Sequence, residues 1–275
     1  MKISYRIQRK SKKILRDLIF KKEFVKKTKY GFKIKLDVSR DVDKHFYWGE
    51  FEVGNLVLLK SLLKDCQTFF DIGANIGIYS LLASKHMRHG GKVYSFEPSD
   101  WAYKRLMENL ELNNIKNVEV FKQAATNSAG TKQFYLCEDD AYNSLNSSPM
   151  KAVQKVIDIE CIRIDDFCSE HKIKKIDILK VDAEGTDYLV LKGAENILKS
   201  ETAPIIMCEF NKKILEGLLY TKNDFVRLLR DLSYSVFVIK GENLIKIDLE
   251  NAEASELICL KDYHIDKYDL NIKMS

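Results

Sequence analysis

The sequence predicts an α/β fold, a doubly wound, mainly parallel sheet with an antiparallel edge hairpin. Three observations carry that expectation. Short apolar runs alternate with helix-like runs of eleven to fourteen residues from residue 67 to about 232, the rhythm of right-handed βαβ crossovers. Several strands, "IDILKV" among them, are apolar almost throughout, as strands buried on both faces are. Near the end, "YSVFVIKGENLIKIDL" holds two strand-like runs about Gly241–Glu242, which reads as a hairpin that closes the sheet.

In chain order, residues 1–29 are basic, with apolar residues at Ile3, Ile7, Ile14, Leu18, Phe20 and Phe24, and suggest a loose amphipathic helix or two. "GFKIKLDV" alternates and predicts a strand. "EFEVGNLVLLKSLLK" places Phe51, Leu56, Leu59 and Leu63 near one helical face. Then come strand "QTFFDIG", helix "IGIYSLLASKHM", strand "GKVYSFEP", helix "WAYKRLMENLELN" and strand "VEVFKQAA". "GTKQFYL" and "IECIRIDDF" predict an antiparallel insertion or outer strands. "IDILKVD" is a strand, "TDYLVLKGAENILK" a helix, "PIIMCEF" a strand and "KNDFVRLLRDL" a helix. No repeat and no Pro/Gly/Ser linker divides the chain. The economical organisation is a basic N-terminal extension over residues 1–44 and one catalytic-type domain over 45–275.

With 275 residues, 45% of them hydrophobic and 31% charged, the chain has the composition of a globular protein with a substantial core. No run of eighteen apolar residues predicts a membrane span, and Arg16 and Asp17 interrupt "ILRDLIF", so no secretory signal is expected. Six scattered cysteines form no C-x-x-C pair and read as reduced, buried thiols of a cytoplasmic protein. His86 and His89 have helical spacing but no neighbouring ligand residue, and no metal site is expected. Residues 1–35 carry fourteen Lys/Arg against Asp17 and Glu23. The net +5 of the whole chain therefore hides a remainder of −7.

The stretch "FFDIGANIGIYS" carries the chemistry. In a doubly wound sheet ligands sit beyond the carboxyl ends of the strands, and the first strand–helix turn is such a place. Gly77 is followed by Ile78 and Tyr79 rather than Gly-Lys-Ser/Thr, which disfavours a nucleoside triphosphate. The order Asp71-Ile-Gly73-Ala-Asn75-Ile-Gly77 lacks the third glycine of a dinucleotide fingerprint and leads with an acid that a pyrophosphate would repel. S-adenosylmethionine, with an ammonium, a sulfonium and no phosphate, suits that acid. Glu97, ending "YSFE", can accept two ribose hydroxyls, a feature NAD enzymes share. The bland alternatives are solvated strand-end acids and glycines required by tight turns alone.

Together "FFDIGANIGIYS", "VYSFEPS", "IDILKVDAEGTDYLVLKGAENIL" and "PIIMCEF" resemble the FkbM-type S-adenosylmethionine-dependent methyltransferases over roughly residues 45–240. "KVDAEGTDYLVLKGA" is the specific part. The resemblance implies a class I methyltransferase, Rossmann-like fold and O-methylation of a sugar or another polyhydroxylated small molecule. It assigns Asp71, Gly73, Asn75 and Gly77 to the methionine part of the cofactor, Glu97 to the ribose and Ala125 to the adenine. Asp182, Glu184 and Gly185 match the D-x-E-G turn, and "NSL" at 143–145 matches a Ser-containing loop near the cofactor.

Methyl transfer to an alcohol needs alignment and a proton acceptor. Asp182, Glu184 and Glu209 project from strand ends, with Asp182 the first choice as base. Glu184 equally fits capping of the next helix. Lys180, alone in an apolar strand, needs a buried partner, namely Asp71, Asp182 or Glu209, and is expected to order the site. The three prolines are never adjacent, which argues against the D-P-P-Y type turn of nucleic-acid amine methyltransferases. The partner expected is a small-molecule or glycan acceptor, with nucleic acid disfavoured. Through residues 1–35 the chain could also meet an anionic membrane surface or polymer. The rivals are a methyltransferase-like module that binds without catalysing, a nucleic-acid-directed enzyme and a nicotinamide-dependent oxidoreductase.

Overall fold

A computed structural model describes residues 23–146, 151–211, 220–251, 254–268, 270 and 272–273. Most of the predicted N-terminal helical segment, residues 1–22, lies outside them. The part that is described overturns the helix: Glu23–Lys27 is a strand (β1), paired antiparallel with β2 (Lys33–Asp37). Phe24 packs on Tyr47 while Val25 is exposed, a period of two.

The chain continues through α1 (Asp41–Trp48) and α2 (Val53–Leu62) into β3 (Thr68–Ile72), α3 (Ile78–His86), β4 (Lys92–Phe96), α4 (Asp100–Leu112) and β5 (Val118–Phe121). Then come β6 (Ala124–Ala125), β7 (Gly130–Cys137), β8 (Val153–Ile162), α5 (Ile164–Glu170), β9 (Ile178–Val181), α6 (Asp187–Lys192), α7 (Glu195–Lys199) and β10 (Ile205–Asn211). It ends with α8 (Lys222–Asp231), β11 (Ser235–Lys240), β12 (Asn243–Lys246), β13 (Ala254–Leu260), α9 (Asp262–Lys267) and β14 (Ile272–Lys273).

The central sheet has the order β14-β12-β11-β13-β10-β9-β3-β4-β5. The strands from β10 to β5 are parallel, and β13 and β12 run antiparallel to their neighbours β10 and β11. Both faces are covered. Phe69, Ile178 and Met207 point into one core with Leu56, Leu81 and Leu106 of α2, α3 and α4. Their chain neighbours Phe70, Leu179 and Ile206 point into the other, with Phe167, Leu191 and Leu229 of α5, α6 and α8. Double burial explains why these strands read as continuous apolar runs. Phe32, Ile34, Leu36 and Phe46 belong to the first of these cores, so residues 30–46 pack with the main domain.

Two further expectations are corrected. "VEVFKQAA" is not one strand: β5 closes the main sheet, and β6 leaves it to pair with β8 in the small sheet β6-β8-β7. The helix predicted over "TDYLVLKGAENILK" is two short ones. They break at Gly193, where a Cβ would fall 2.1 Å from the Thr126 carbonyl oxygen. The predicted hairpin turns at Gly241–Glu242, and β13 joins it to β10. All six cysteines are buried free thiols. No helix of the described residues is long and apolar enough to cross a membrane.

Candidate active site

Beyond the carboxyl ends of β3, β4 and β9 lies a cavity of about 820 Å³ counted out to open solvent. Its floor is the Gly73–Tyr79 turn. Glu97 stands on one side and Asp182 and Glu184 on the other. Ala125 and Phe134 of the small sheet, with Asp140, Asn143 and Leu145 of the β7–β8 connection, form the remaining wall.

The turn is shaped by close approach. Gly73 has φ +72°, and a Cβ there would fall 1.9 Å from the carbonyl oxygen of Asp182, so the tips of β3 and β9 can meet only over a glycine. The Gly73 and Ala74 amides both donate to the Phe96 carbonyl at 3.0 Å, which joins the turn to β4. Asn75 adopts φ +48°, and its side-chain oxygen accepts from the Ile76 amide. Gly77 caps α3 at φ +90°, where a Cβ would strike Leu106 Cδ1 at 2.2 Å. Gly77 is not among the residues lining the cavity, and its contact with Leu106 accounts for the glycine by packing.

Glu97 lines the cavity with 6% of its surface exposed. One oxygen accepts from the Asn75 amide at 2.8 Å and the other from the Ser99 amide at 2.9 Å. A carboxylate offers about four acceptor positions, so capacity for two more donors remains. Burial pushes its pKa up to about 7, against the pull of those two backbone donors.

Asp71 is fully buried below the turn and is not among the residues lining the cavity. Its carboxylate accepts from Ser80 Oγ at 2.6 Å and lies 3.8 Å from Lys180 Nζ. Register puts Asp71 opposite Lys180 on adjacent strands. Burial raises the proton affinity of Asp71, and the Lys180 charge opposes the rise. Lys180 Nζ also donates to Asp182 at 3.1 Å and to the Gly73 carbonyl at 3.4 Å, over the ring of Tyr79. Burial would discharge this amine, but Asp182, Asp71 and Glu52 more than offset that and hold it charged. The predicted pairing is thus found with Asp182 and Asp71.

Asp182 and Glu184 both face the cavity. Glu184 sits at φ +48°, and its proton affinity is pushed well up by burial and then by the charges of Asp182, Glu209 and Asp187. Its carbonyl accepts from Ser144 Oγ at 2.7 Å, so the "NSL" loop is pinned to the D-x-E-G turn. Glu209 does not line the cavity; its backbone amide faces the buried Asp187 carboxylate at 3.3 Å. The β10 tip brings it near the site without presenting it there. Among the described residues no group of three His, Cys, Asp or Glu side chains converges as metal ligands.

Three contributors escape the sequence reading. Tyr79 lines the cavity and donates its hydroxyl to Glu52, which precedes α2 in a left-handed conformation. Asp140 accepts from Ser99 Oγ and Asn143 and pairs with Arg40, whose guanidinium lies 3.5 Å over Trp101. The acid run "EDDAY" hints at Asp140. Nothing local marks Glu52.

A sequence model described as the methyltransferase FkbM domain matches residues 71–236, a span running from the acid of the turn into β11. The chain belongs to the FkbM methyltransferase family. Methyltransferase sdnD of Sordaria araneosa is 30% identical to it over 46% of this chain and 59% of the relative. Hexuronic acid methyltransferase AglP of Haloferax volcanii is 26% identical over 58% and 62%. The 31-O-demethyl-FK506 methyltransferase FkbM of Streptomyces tacrolimicus is 26% identical over 49% and 62%. The chain thus spans about three-fifths of the length of these relatives. Among solved structures, methyltransferase FkbM from Methylobacillus flagellatus aligns over 71% of this chain and 44% of its own, with 17% identity and a TM-score of 0.45. S-adenosylmethionine is the methyl donor of the FkbM family, and the cavity has features that fit it: a carboxylate with spare acceptor capacity and apolar walls.

Proposed function

We propose that this FkbM-family protein is an S-adenosylmethionine-dependent O-methyltransferase acting on a hydroxyl of a small molecule or glycan. One observation carries the reading. The same cavity holds Glu97, suited to a ribose diol, and the pair Asp182 and Glu184, suited to a hydroxyl proton. The relative whose name specifies a 31-O position supports an oxygen acceptor, and the one named for a hexuronic acid supports a sugar.

The bound cofactor supplies a methyl group on a sulfonium, already activated for in-line displacement. The remaining tasks belong to side chains. Glu97 holds the ribose, Gly73 and Asn75 lie against the methionine part, and Ala125 and Leu145 flank the base. Glu184 is proposed as the proton acceptor, because it faces the cavity and burial with the charges of Asp182, Glu209 and Asp187 raises its affinity for a proton. Asp182, held 3.1 Å from Lys180, orients the acceptor hydroxyl. Lys180 and Asp71 fix Asp182 and the turn from beneath.

The test is calorimetric titration of S-adenosylhomocysteine into the wild type and Glu97→Ala. Loss of hydrogen bonds to a charged group should weaken binding by about 1.5–3 kcal/mol per bond, less where water substitutes. No binding by the folded wild type would defeat the reading and favour the non-catalytic module.

A further inference from the structure

The cofactor cavity has two apolar walls, and they belong to different cores. Ala124, Phe134 and Leu145 come from the cluster of the small sheet and its connection. Val42, Phe51, Ile76, Ile78 and Tyr79 come from the first core of the main sheet. Val42 lies in the first turn of α1, and Phe51 stands just before α2. Elements ahead of β3 therefore complete the cavity, from residues that precede the start of the family match at residue 71.

S-adenosylmethionine has a use for one of these walls. Its flat apolar part is the adenine, which lies by Ala125 and Leu145. Its methionine end carries an ammonium and a carboxylate, and an apolar face offers those groups no partner. The second wall is left over, and it stands beside the acids that face the acceptor. Lys180 Nζ lies 4.8 Å from the centre of the Tyr79 ring and donates to Asp182 at 3.1 Å. The Tyr79 hydroxyl donates to Glu52, which fixes that ring. The centre of the Phe51 ring is 6.5 Å from that of Tyr79. Phe51 meets Tyr79 at 68° and Phe46 at 69°, so neither ring lies parallel to it, and Phe51 is only partly buried. A flat partner can stack on Phe51 where neither neighbour does.

We infer that Phe51, with Val42 and Tyr79, is the platform for the methyl acceptor, and that the acceptor carries an aromatic ring beside the hydroxyl it presents to Asp182 and Glu184. The ring lies on Phe51, and the hydroxyl reaches past Tyr79 to the two acids, inside the cavity that holds the methyl donor. Adenine and the acceptor ring then occupy separate apolar walls. Phe51 sets specificity by direct contact, ranking acceptors by the flat apolar surface they bring rather than by their charge. The inference rests on the methyltransferase reading above and adds the acceptor's class and the residue that selects it.

The experiment uses the full chain saturated with S-adenosylhomocysteine. Phenyl β-glucoside and methyl β-glucoside, which share the sugar and differ in the ring, are titrated by saturation-transfer NMR into the wild type, Phe51→Ala and Phe51→Leu. The wild type should bind the phenyl glucoside about tenfold tighter, the gain of burying and stacking one aromatic ring. Phe51→Ala should abolish that preference. Phe51→Leu fills the packing without offering a flat face and should reduce the preference about threefold, and it keeps the test open should the alanine variant fail to fold. S-adenosylhomocysteine affinity, measured separately by calorimetry, should hold in every folded variant. Equal binding of the two glucosides by the wild type overturns the proposal, as does a phenyl preference that survives the loss of Phe51. A parallel loss of S-adenosylhomocysteine affinity also overturns it, since the cofactor would then own this wall. Absence of phenyl glucoside binding while S-adenosylhomocysteine binds overturns the acceptor class and leaves the cofactor reading intact. Failure of S-adenosylhomocysteine itself to bind overturns both.

Discussion

Burial of Glu97 has a consequence for pH. Its carboxyl titrates at about 7 in the folded chain against an ordinary 4.5, because burial outweighs two backbone donors. Between these values the folded state holds more protons than the unfolded one, so this group lowers the stability of the ligand-free protein as pH rises from 4.5 to about 7. Asp43, buried and accepting from the Asp37 amide, is raised to about 7 as well and acts in the same direction. Ribose hydroxyls are donors and favour the ionised carboxylate. S-adenosylhomocysteine affinity should therefore climb with pH up to about 7 and then level, with a proton released on binding below that point. Calorimetry in buffers of differing ionisation enthalpy checks this, and Glu97→Gln should flatten the profile. Lys180 offers a second test. Lys180→Met strands Asp71 beneath the turn and should cost about 3–5 kcal/mol of stability, as removal of one partner of a buried pair does. Adding Asp71→Asn should return much of that, read by denaturant unfolding of all four proteins. The wild-type pair and double variant having additive costs would remove the coupling. Glu97, Gly73 and Lys180 were legible as special residues, since each breaks the pattern of its strand or turn. The position of Asp71 was not. An acid beside a glycine turn looks the same whether it points up at a ligand or down at Lys180, and strand pairing decides which.

The strand–turn–helix unit from β3 to α3 is held from two sides, and its glycines differ in what they touch. Gly73→Ala drives a Cβ into the Asp182 backbone, which cannot yield without separating the β3 and β9 tips. Gly77→Ala meets only the end of the Leu106 side chain, together with the strain of φ +90°. Gly73→Ala should fail to give folded protein with a working cavity. Gly77→Ala should fold with a lowered melting temperature, and Leu106→Ala added to it should recover part of the loss. Circular dichroism and S-adenosylhomocysteine binding distinguish the two. The elements of the parallel sheet were readable because covering both faces makes their sequences apolar without alternation. β1 was misread: basic residues interleaved with Phe24 and Val25 satisfy a helical or a strand period over so short a span, and pairing with β2 settles it. β13 was missed because its apolar run, "LICL", is short and follows the exposed Glu256. The β5–β6 break depends on the small sheet that captures Ala124, a contact with residues nearly forty positions later.

At the scale of the molecule, the order in which strands are made differs from the order in which they pair. β10 ends at Asn211, but its outer neighbour is β13, residues 254–260, inserted between β10 and the β11–β12 hairpin that precedes it in the chain. A polypeptide shortened to residue 236, the end of the family match, keeps all the cavity-lining residues of the cofactor site and loses β13. It should be recovered largely as aggregate, with wild-type behaviour only when residues up to 260 are present, as measured by light scattering of matched preparations. During synthesis the same gap becomes an interval. The ribosome adds about 5–20 residues per second, so the bare edge of "IIMCEF" waits roughly 2–10 s for its partner. An apolar strand with unpaired amides and carbonyls is open for that time to any other strand, including a second nascent copy. For this chain, the speed of translation between residues 211 and 260 is therefore a determinant of yield, independent of how stable the finished protein is.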